Sequence, residues 1–348
     1  MENMRLIDKL AAQKTLQHCQ WVQLWSSYSS SDRIYAGNIA REISEERFGK
    51  KVFIRGIVEF SNHCGNDCFY CGIRKSNKQI TRYTMSDEAI LECCRNGYKN
   101  NIRTFVLQSG EAIEFDLMHL TGLIKSIKSE FPDCAVTLSL GELSFEQYSA
   151  LREAGADRYL LRHETANAEH YRKMHPPAMS LANRLECLQN LHKLGFQTGC
   201  GIMLGSPFQS PQSLADDMIF MQEFHPEMIG VGPFIPHCDT PFKDFAAGSV
   251  EDTLFMLSLC RIMLPNVLLP ATTALATLQK DGRIQGVLAG ANVIMPNLTP
   301  EDVQQNYNLY NNKLRADQGI AGAVRLLQED LASAGYTIAV ERGDYAGE

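Results

Sequence analysis

The stretch VFIRGIVEFSNHCGNDCFYC, residues 52–71, decides the fold class and most of the chemistry. Its first nine residues, Val52 to Phe60, are dense in branched and aromatic side chains, the composition of a β-strand. The rest is a polar turn that sets Cys64, Cys68 and Cys71 at C-x3-C-x2-C spacing directly after that strand. Three thiolates on one short loop can bind three irons of a [4Fe-4S] cube, and with no fourth cysteine nearby one iron is left open to an exogenous ligand. Zinc is the competing metal. A structural zinc site wants four closed ligands, commonly as C-x2-C pairs, and this loop offers three at unequal spacing with His63 as a possible fourth. Unmetallated thiols are the remaining alternative, and the spacing together with the strand context favours the cluster.

Working outward, the same strand signature recurs seven times: Thr104 to Gln108, Ala135 to Leu140, Arg158 to Leu161, Gln197 to Leu204, Met228 to Ile235, Val267 to Ala271 and Asn292 to Met295. Amphipathic stretches lie between them, near residues 86–99, 116–131, 144–154, 181–194, 211–224, 250–264 and 278–289, several opened by caps such as Ser86, Ser180 and Ser249. Alternation of this kind means parallel strands with helical crossovers. Eight strands over about 250 residues predict an α/β fold of the (β/α)8 TIM-barrel type, with a doubly wound open sheet as the runner-up. Residues 1–50 are expected to form a helical extension, with apolar spacing through Leu6, Leu10 and Leu16 and then Ile34, Ile39, Ile43 and Phe48. Residues 51–348 are expected to form one compact unit that ends in a helix from about Gly319 to Ala334.

Of the 348 residues, 45% are hydrophobic and 21% charged, enough apolar side chain for a large core. Lysine and arginine total 33 against 40 acidic residues, a net charge of −7, the wrong sign for a surface that neutralises many phosphates. Nucleic acid is therefore not expected as a partner. There is no apolar signal segment and no run long enough to span a bilayer, so a cytoplasmic protein is expected. In a reducing compartment the 11 cysteines are free thiols or metal ligands. Cys93, Cys94, Cys187 and Cys260 fall in helical stretches and Cys19, Cys134 and Cys200 in apolar surroundings, where a small buried thiol is the ordinary expectation. Cys238 follows His237 at the end of the sixth strand; an unreactive thiol is expected there over a ligand.

A barrel gathers its active site on the loops after the strands. Those loops begin with Ser109-Gly110-Glu111, Gly141-Glu142, Arg162-His163-Glu164, Gly205-Ser206-Pro207, Pro236-His237, Thr272-Thr273 and Pro296-Asn297. Arg184, one turn beyond the Ser180 cap, and Glu164 suit a zwitterionic cofactor, the guanidinium for a carboxylate and the carboxylate for ribose hydroxyls or an ammonium. The plain alternative is a structural ion pair that ties strand to helix. Glycines at 199, 201 and 205 mark close approach, by adenosine or by tight barrel packing. Thr137 and Ser139 alternate on the third strand and share a side. The basic stretch of Arg74, Lys75 and Lys78 with Arg82 is either a solvated loop or a landing site for an acidic electron donor. For a substrate inside the barrel, the polar anchors expected are Arg55, Thr272 and Thr273, with His237, Tyr307 and Tyr310 as lid residues.

The cysteine loop, with Tyr70 before its last cysteine, resembles the radical S-adenosylmethionine (SAM) superfamily. The blocks Leu107 to Glu111, Thr137 to Glu142, Ala156 to Asn167, Gly232 to His237, Pro270 to Ala274 and Gly290 to Asn297 resemble, within it, the HydE family of [FeFe]-hydrogenase maturases. The resemblance implies a [4Fe-4S] cluster on Cys64, Cys68 and Cys71. It also implies S-adenosyl-L-methionine held by Tyr70, Gln108, Ser109, Glu111, Thr137, Ser139, Arg162, Glu164, Arg184 and Met203, and its reductive cleavage to a 5′-deoxyadenosyl radical, with no catalytic residue beyond cluster and cofactor. It further implies a HydG-derived iron carbonyl cyanide complex as substrate, with the HydF scaffold and a flavodoxin or ferredoxin as partners. An enzyme acting on a free amino acid, like methylornithine synthase, and a non-catalytic iron–sulfur scaffold are the alternatives. Two departures stand out: Gly205 to Gln209 reads G-S-P-F-Q where G-L-P-G-Q is usual, and Cys238 stands where proline is common. No cysteine follows Cys260, so a single cluster is expected.

Overall fold

The strand that opens the barrel breaks at Arg55, and the break divides its pairing between two sets of neighbours. The computed structural model describes residues 2–111, 116–314 and 319–347. Three helices come first, α1 (Glu2–Gln13), α2 (His18–Ser27) and α3 (Ser30–Phe48), followed by β1 (Lys51–Ile54) and β2 (Gly56–Ser61). Then come α4 (Asp87–Lys99), β3 (Thr104–Ser109), α5 (Leu117–Glu130), β4 (Ala135–Ser139), α6 (Phe145–Glu153) and β5 (Arg158–Leu160). The chain continues through α7 (Ala168–Met174), α8 (Leu181–Lys193), β6 (Gln197–Leu204), α9 (Pro211–Phe224), β7 (Met228–Pro233) and α10 (Val250–Met263). It closes with α11 (Thr273–Leu278), α12 (Gly282–Leu288), β8 (Val293–Ile294), α13 (Glu301–Gln304), α14 (Gly319–Ser333) and β9 (Thr337–Ala339).

Strands β2 to β7 pair in sequence order, all parallel. The ring continues from Met228 to Leu268 and from Pro270 to Val293 by single bridges, then from β8 to β1 through Phe53 and Ile54, and Ile57 bridges Asn297. This is the TIM-type barrel that the alternation predicted. The run Val267 to Ala271 is a correction: it supplies bridges and no regular strand, because it is short and its central Pro270 has no N–H to give the ladder. The helices start where their caps stand, with the hydroxyls of Ser86, Ser180 and Ser249 accepting from Ala89, Asn183 and Asp252 N–H.

In the helical extension Leu6, Leu10 and Leu16 are buried as expected and Ile39, Ile43 and Phe48 pack at the edge of the core, but the deepest stripe of α3 is one of small residues and Ile34 lies outside. On α3 the buried residues are Asp32, Ala36, Ala40 and Ser44, while Ile34 is 56% exposed. Small side chains let α3 lie close on α10, where Gly37 faces Ser258, and this close approach outweighs the bulkier alternative face. A single cluster of buried apolar residues runs from Leu6 through the barrel's outer face to Tyr336.

Nothing in the sequence pointed to β9, which pairs with β1 from Lys51–Thr337 to Phe53–Ala339. Beyond it the tail crosses the N-terminal end of the barrel. Arg158, fully buried, donates to Asp344 at 2.5 Å and to the Arg342 carbonyl at 2.9 Å, and Thr104 donates to that carbonyl at 2.8 Å. Arg55 sits in this floor, with its guanidinium against Met228 Sδ and the Gly343 carbonyl. Burial, with Arg158 beside it, holds its pKa well below the usual arginine range. Arg55, expected as a polar anchor inside the barrel, thus lies at its floor, six residues before Ser61 at the end of β2, with its guanidinium turned to the tail.

Candidate functional site

The cysteine loop is laced to the barrel rim by buried polar side chains. Fully buried Asn62 donates to the carbonyls of Thr81 (2.8 Å) and Asn306 (2.7 Å) and accepts from Tyr83 N–H. Arg82 donates to the carbonyls of Asn62, Ile73 and Arg74 at 2.6 to 2.7 Å, and Arg74 reaches Asp67 at 2.6 Å, holding that carboxyl well below the usual range. Half of the basic stretch is therefore internal scaffolding, and Lys75 and Lys78 are its exposed part. The turn after β3 packs directly on the loop: a Cβ on Gly110 would come within 2.4 Å of the His63 carbonyl and 2.7 Å of Cys64 Cβ. Gly65 N–H donates to the Glu111 carbonyl at 2.6 Å.

Cys64, Cys68 and Cys71 are half-buried at the barrel mouth. Burial raises all three thiol pKa values, neighbouring cysteines add to it at Cys68 and Cys71, and Cys68 is pushed up to about 12. Buried thiols of this kind ionise only against a cation, so a metal that binds here expels protons. His63, the possible fourth zinc ligand, is exposed and lines a cavity outside the loop with Lys75, Asp116 and His119. Tyr70 donates to His175 Nε2 at 3.1 Å, and His175 Nδ1–H donates to the Tyr171 carbonyl at 3.0 Å. Burial lowers the His175 pKa to about 4, which keeps that imidazole neutral.

The charged residues expected for a cofactor are all at this mouth, in partnerships the sequence did not disclose. Arg162 meets Glu164 at 2.9 Å. Arg184 meets Glu142 at 2.7 Å and Glu111 at 3.7 Å. Arg184 and Glu164 both act electrostatically on Cys68, so two separate ion pairs flank the cysteine loop. Glu142 was missed as a site residue although it opens the loop after β4; burial raises its carboxyl pKa even beside Arg184. Glu164 adopts a left-handed backbone (φ +63°), held by its N–H to the Gly201 carbonyl at 3.0 Å.

On the inner wall, Thr137 Oγ1 is buried without a hydrogen-bond partner, Ser139 and Gln108 are half-buried above it, and Ser109 donates to the Gly110 carbonyl. Met203 packs with Phe234, Phe242 and Met174, and Tyr70 lies against that group. The glycines of β6 answer to packing, because a Cβ on Gly201 would meet the Gly230 carbonyl oxygen at 2.1 Å.

Among the residues expected at a substrate, Thr272 caps α11 and lies against Gly232, and Thr273 begins that helix. Tyr307 is buried, with Glu59, Cys71 and Cys64 in its electrostatic surroundings. Tyr310 has Glu59 and Arg162 among its neighbours and hydrogen-bonds Thr277, so both tyrosines lie over the mouth. His237 packs against Gly72 of the cysteine loop, away from the threonines. Cys19 is exposed, against expectation, because α2 turns it outward; Cys93, Cys94, Cys134, Cys187, Cys200 and Cys260 are buried.

A family model for the radical SAM superfamily matches residues 58–221. The [FeFe] hydrogenase maturase subunit HydE of Thermotoga maritima is 47% identical over 276 residues, 79% of this chain and 78% of that protein. The chain belongs to the HydE family of radical SAM enzymes. Outside that family, 3-methylornithine synthase of Methanosarcina barkeri is 28% identical over 85% of this chain and 83% of its own length. The crystal structure of a methylornithine synthase superposes with a TM-score of 0.83 at 26% identity, covering 96% of this HydE-family chain and 97% of that one. No helix among the described residues is long and apolar enough to cross a membrane.

Proposed function

We propose that this enzyme uses a [4Fe-4S] cluster on Cys64, Cys68 and Cys71 and S-adenosyl-L-methionine in assembly of the [FeFe]-hydrogenase diiron site. The observation that carries the reading is the ring of groups at one barrel mouth: three half-buried thiols on one loop, flanked by the Arg162–Glu164 and Arg184–Glu142–Glu111 ion pairs. The donor set fits the group, since three sulfurs without a fourth leave one iron open for a ligand. When bound, the pair supplies one electron and a 5′-deoxyadenosyl radical.

The chain's own residues do the rest. Arg184 offers a fixed guanidinium for the methionyl carboxylate, and the carboxylates of Glu111, Glu142 and Glu164 offer acceptors for an ammonium and ribose hydroxyls. Gln108, Ser109, Thr137, Ser139, Arg162 and Met203 line the same wall, and the unpartnered Thr137 hydroxyl has a hydrogen bond left to give. Tyr70, tied to neutral His175, closes the loop over it and excludes water. Thr272, Thr273, Tyr307 and Tyr310 would meet a substrate inside the barrel, on this reading an iron carbonyl cyanide complex made by HydG. HydF and a flavodoxin or ferredoxin complete the set of partners, in the cytoplasm.

Anaerobic reconstitution should load about four irons per chain, and the triple Cys→Ser variant none. Cells lacking the protein should make hydrogenase with an incomplete diiron site, and the reduced enzyme should cleave S-adenosylmethionine. A complete hydrogenase in such cells overturns the reading. Turnover of a free amino acid without iron would favour the methylornithine synthase-like alternative, and loading without cofactor cleavage the scaffold.

A further inference from the structure

On the outer side of the cysteine loop, the turn after β7 draws three metal-ligating side chains together. Thr240 N–H and Oγ1 both donate to the His237 carbonyl (3.1 and 2.8 Å), which folds residues 237–240 back on themselves. The Cys238 N–H donates to Asn311 Oδ1 at 3.1 Å and pins the turn to the neighbouring loop. As a result Cys238 Sγ lies 3.9 Å from His237 Nδ1, Asp239 Oδ2 lies 3.9 Å from the same nitrogen, and the three donor atoms are within 4.8 Å of one another.

Those separations can be compared with what an ion needs. Tetrahedral bonds of about 2.3 Å to sulfur and about 2.0 Å to nitrogen and oxygen set sulfur about 3.5 Å and oxygen about 3.3 Å from the nitrogen. Adjustments of roughly half an ångström meet the two separations to the nitrogen, and rotation of the exposed Cys238 and Asp239 side chains by about an ångström brings sulfur and oxygen to the roughly 3.5 Å that a tetrahedral ion needs. Asp239 N–H donates to Nδ1 at 3.1 Å, so Nδ1 carries the lone pair and the proton is on Nε2; a metal at Nδ1 takes the place of that backbone hydrogen bond. His237 is buried and fixed against Gly72, while Cys238 and Asp239 are exposed at a cleft of about 670 Å³ that also presents Asn311 and Asn312. Lys313, a cation in that cleft, is engaged by Glu59 and the Tyr307 carbonyl and does not oppose a metal.

We propose that His237, Cys238 and Asp239 form a second metal site, separate from the cysteine loop, for a borderline divalent cation such as Zn²⁺ or Fe²⁺. One nitrogen, one sulfur and one oxygen suit such ions and disfavour magnesium and calcium, and the fourth position opens to the cleft. The site does not rest on the function proposed above.

The test is a calorimetric titration of the anaerobic, cluster-loaded chain with Zn²⁺, with iron counted before and after. One zinc per chain should bind with iron unchanged, and X-ray absorption should show a single sulfur among nitrogen and oxygen ligands. Cys238→Ser should weaken binding at least tenfold and Asp239→Asn several-fold. Cys19→Ser, which removes another exposed thiol, should change nothing. Absence of stoichiometric zinc overturns the site, as does equal affinity in Cys238→Ser, or an all-sulfur shell with loss of iron.

Discussion

At the scale of single residues, the mouth of the barrel is governed by how few charges are left unpaired. Arg184 is held between Glu142 and Glu111, so its removal leaves two carboxylates facing each other and, on the proposed reading, takes away a cofactor contact. Arg184→Ala should weaken S-adenosylmethionine binding by about 2 to 4 kcal/mol, read by calorimetry. If neither Arg184→Ala nor Glu164→Ala changes affinity, the two ion pairs are only structural. His175 carries a pH dependence of definite sign. Its pKa of about 4 in the fold lies below the unfolded value of about 6.5, so the unfolded chain binds the extra proton first. The stability contributed by the neutral ring is fully present above about pH 6.5 and is lost as pH falls toward 4, about 3 kcal/mol in all. The urea midpoint of the metal-free chain should fall over that window, and His175→Gln should fall less; parallel curves would contradict the assignment. The cysteine loop and most of the mouth were legible in the sequence because their residue types and spacing are local. The Arg184–Glu142 partnership was not, since it joins the first turn of α8 to the loop after β4, 42 positions apart.

At the scale of elements, periodicity located the helices between the strands to within a few residues and failed where packing set the outcome. The face of α3 is one case, since Ala36 and Ala40 take the buried side and leave Ile34 outside. The run around Pro270 is another, since a strand composition with a missing N–H completes the ring without a regular ladder. The glycines of β6 were ambiguous in sequence and are settled by distance. A methyl group on Gly201 would collide with the backbone of Gly230, so Gly201→Ala should push β6 from β7. An overpacked core site of this kind costs about 1 to 3 kcal/mol, and more where backbone must move. The thermal midpoint should drop, and Glu164, which hangs on the Gly201 carbonyl, should bind cofactor less well. A variant with native stability and affinity would show that the strands can separate freely.

At the scale of the whole molecule, the C-terminal tail is the part that no local pattern announced. Strand β9 is three residues long and the tail after it is bound by long-range contacts, with Arg158 and Asp344 separated by 186 positions. Asp344→Ala leaves Arg158 buried beside Arg55 with its ion partner gone. Because Asp344 is itself partly exposed, the cost should be about 1 to 3 kcal/mol in chemical unfolding. Unchanged stability would mean that the tail's carbonyls alone satisfy the guanidinium. Among the described residues, the tail also covers the N-terminal end of the barrel. With its floor covered by Arg55, Arg158 and residues 342–344, a guest inside the barrel passes the mouth beside the cysteine loop, where the cofactor is proposed to bind. On that proposal traffic through the mouth is last in, first out: the deepest guest should arrive before the cofactor and depart after it.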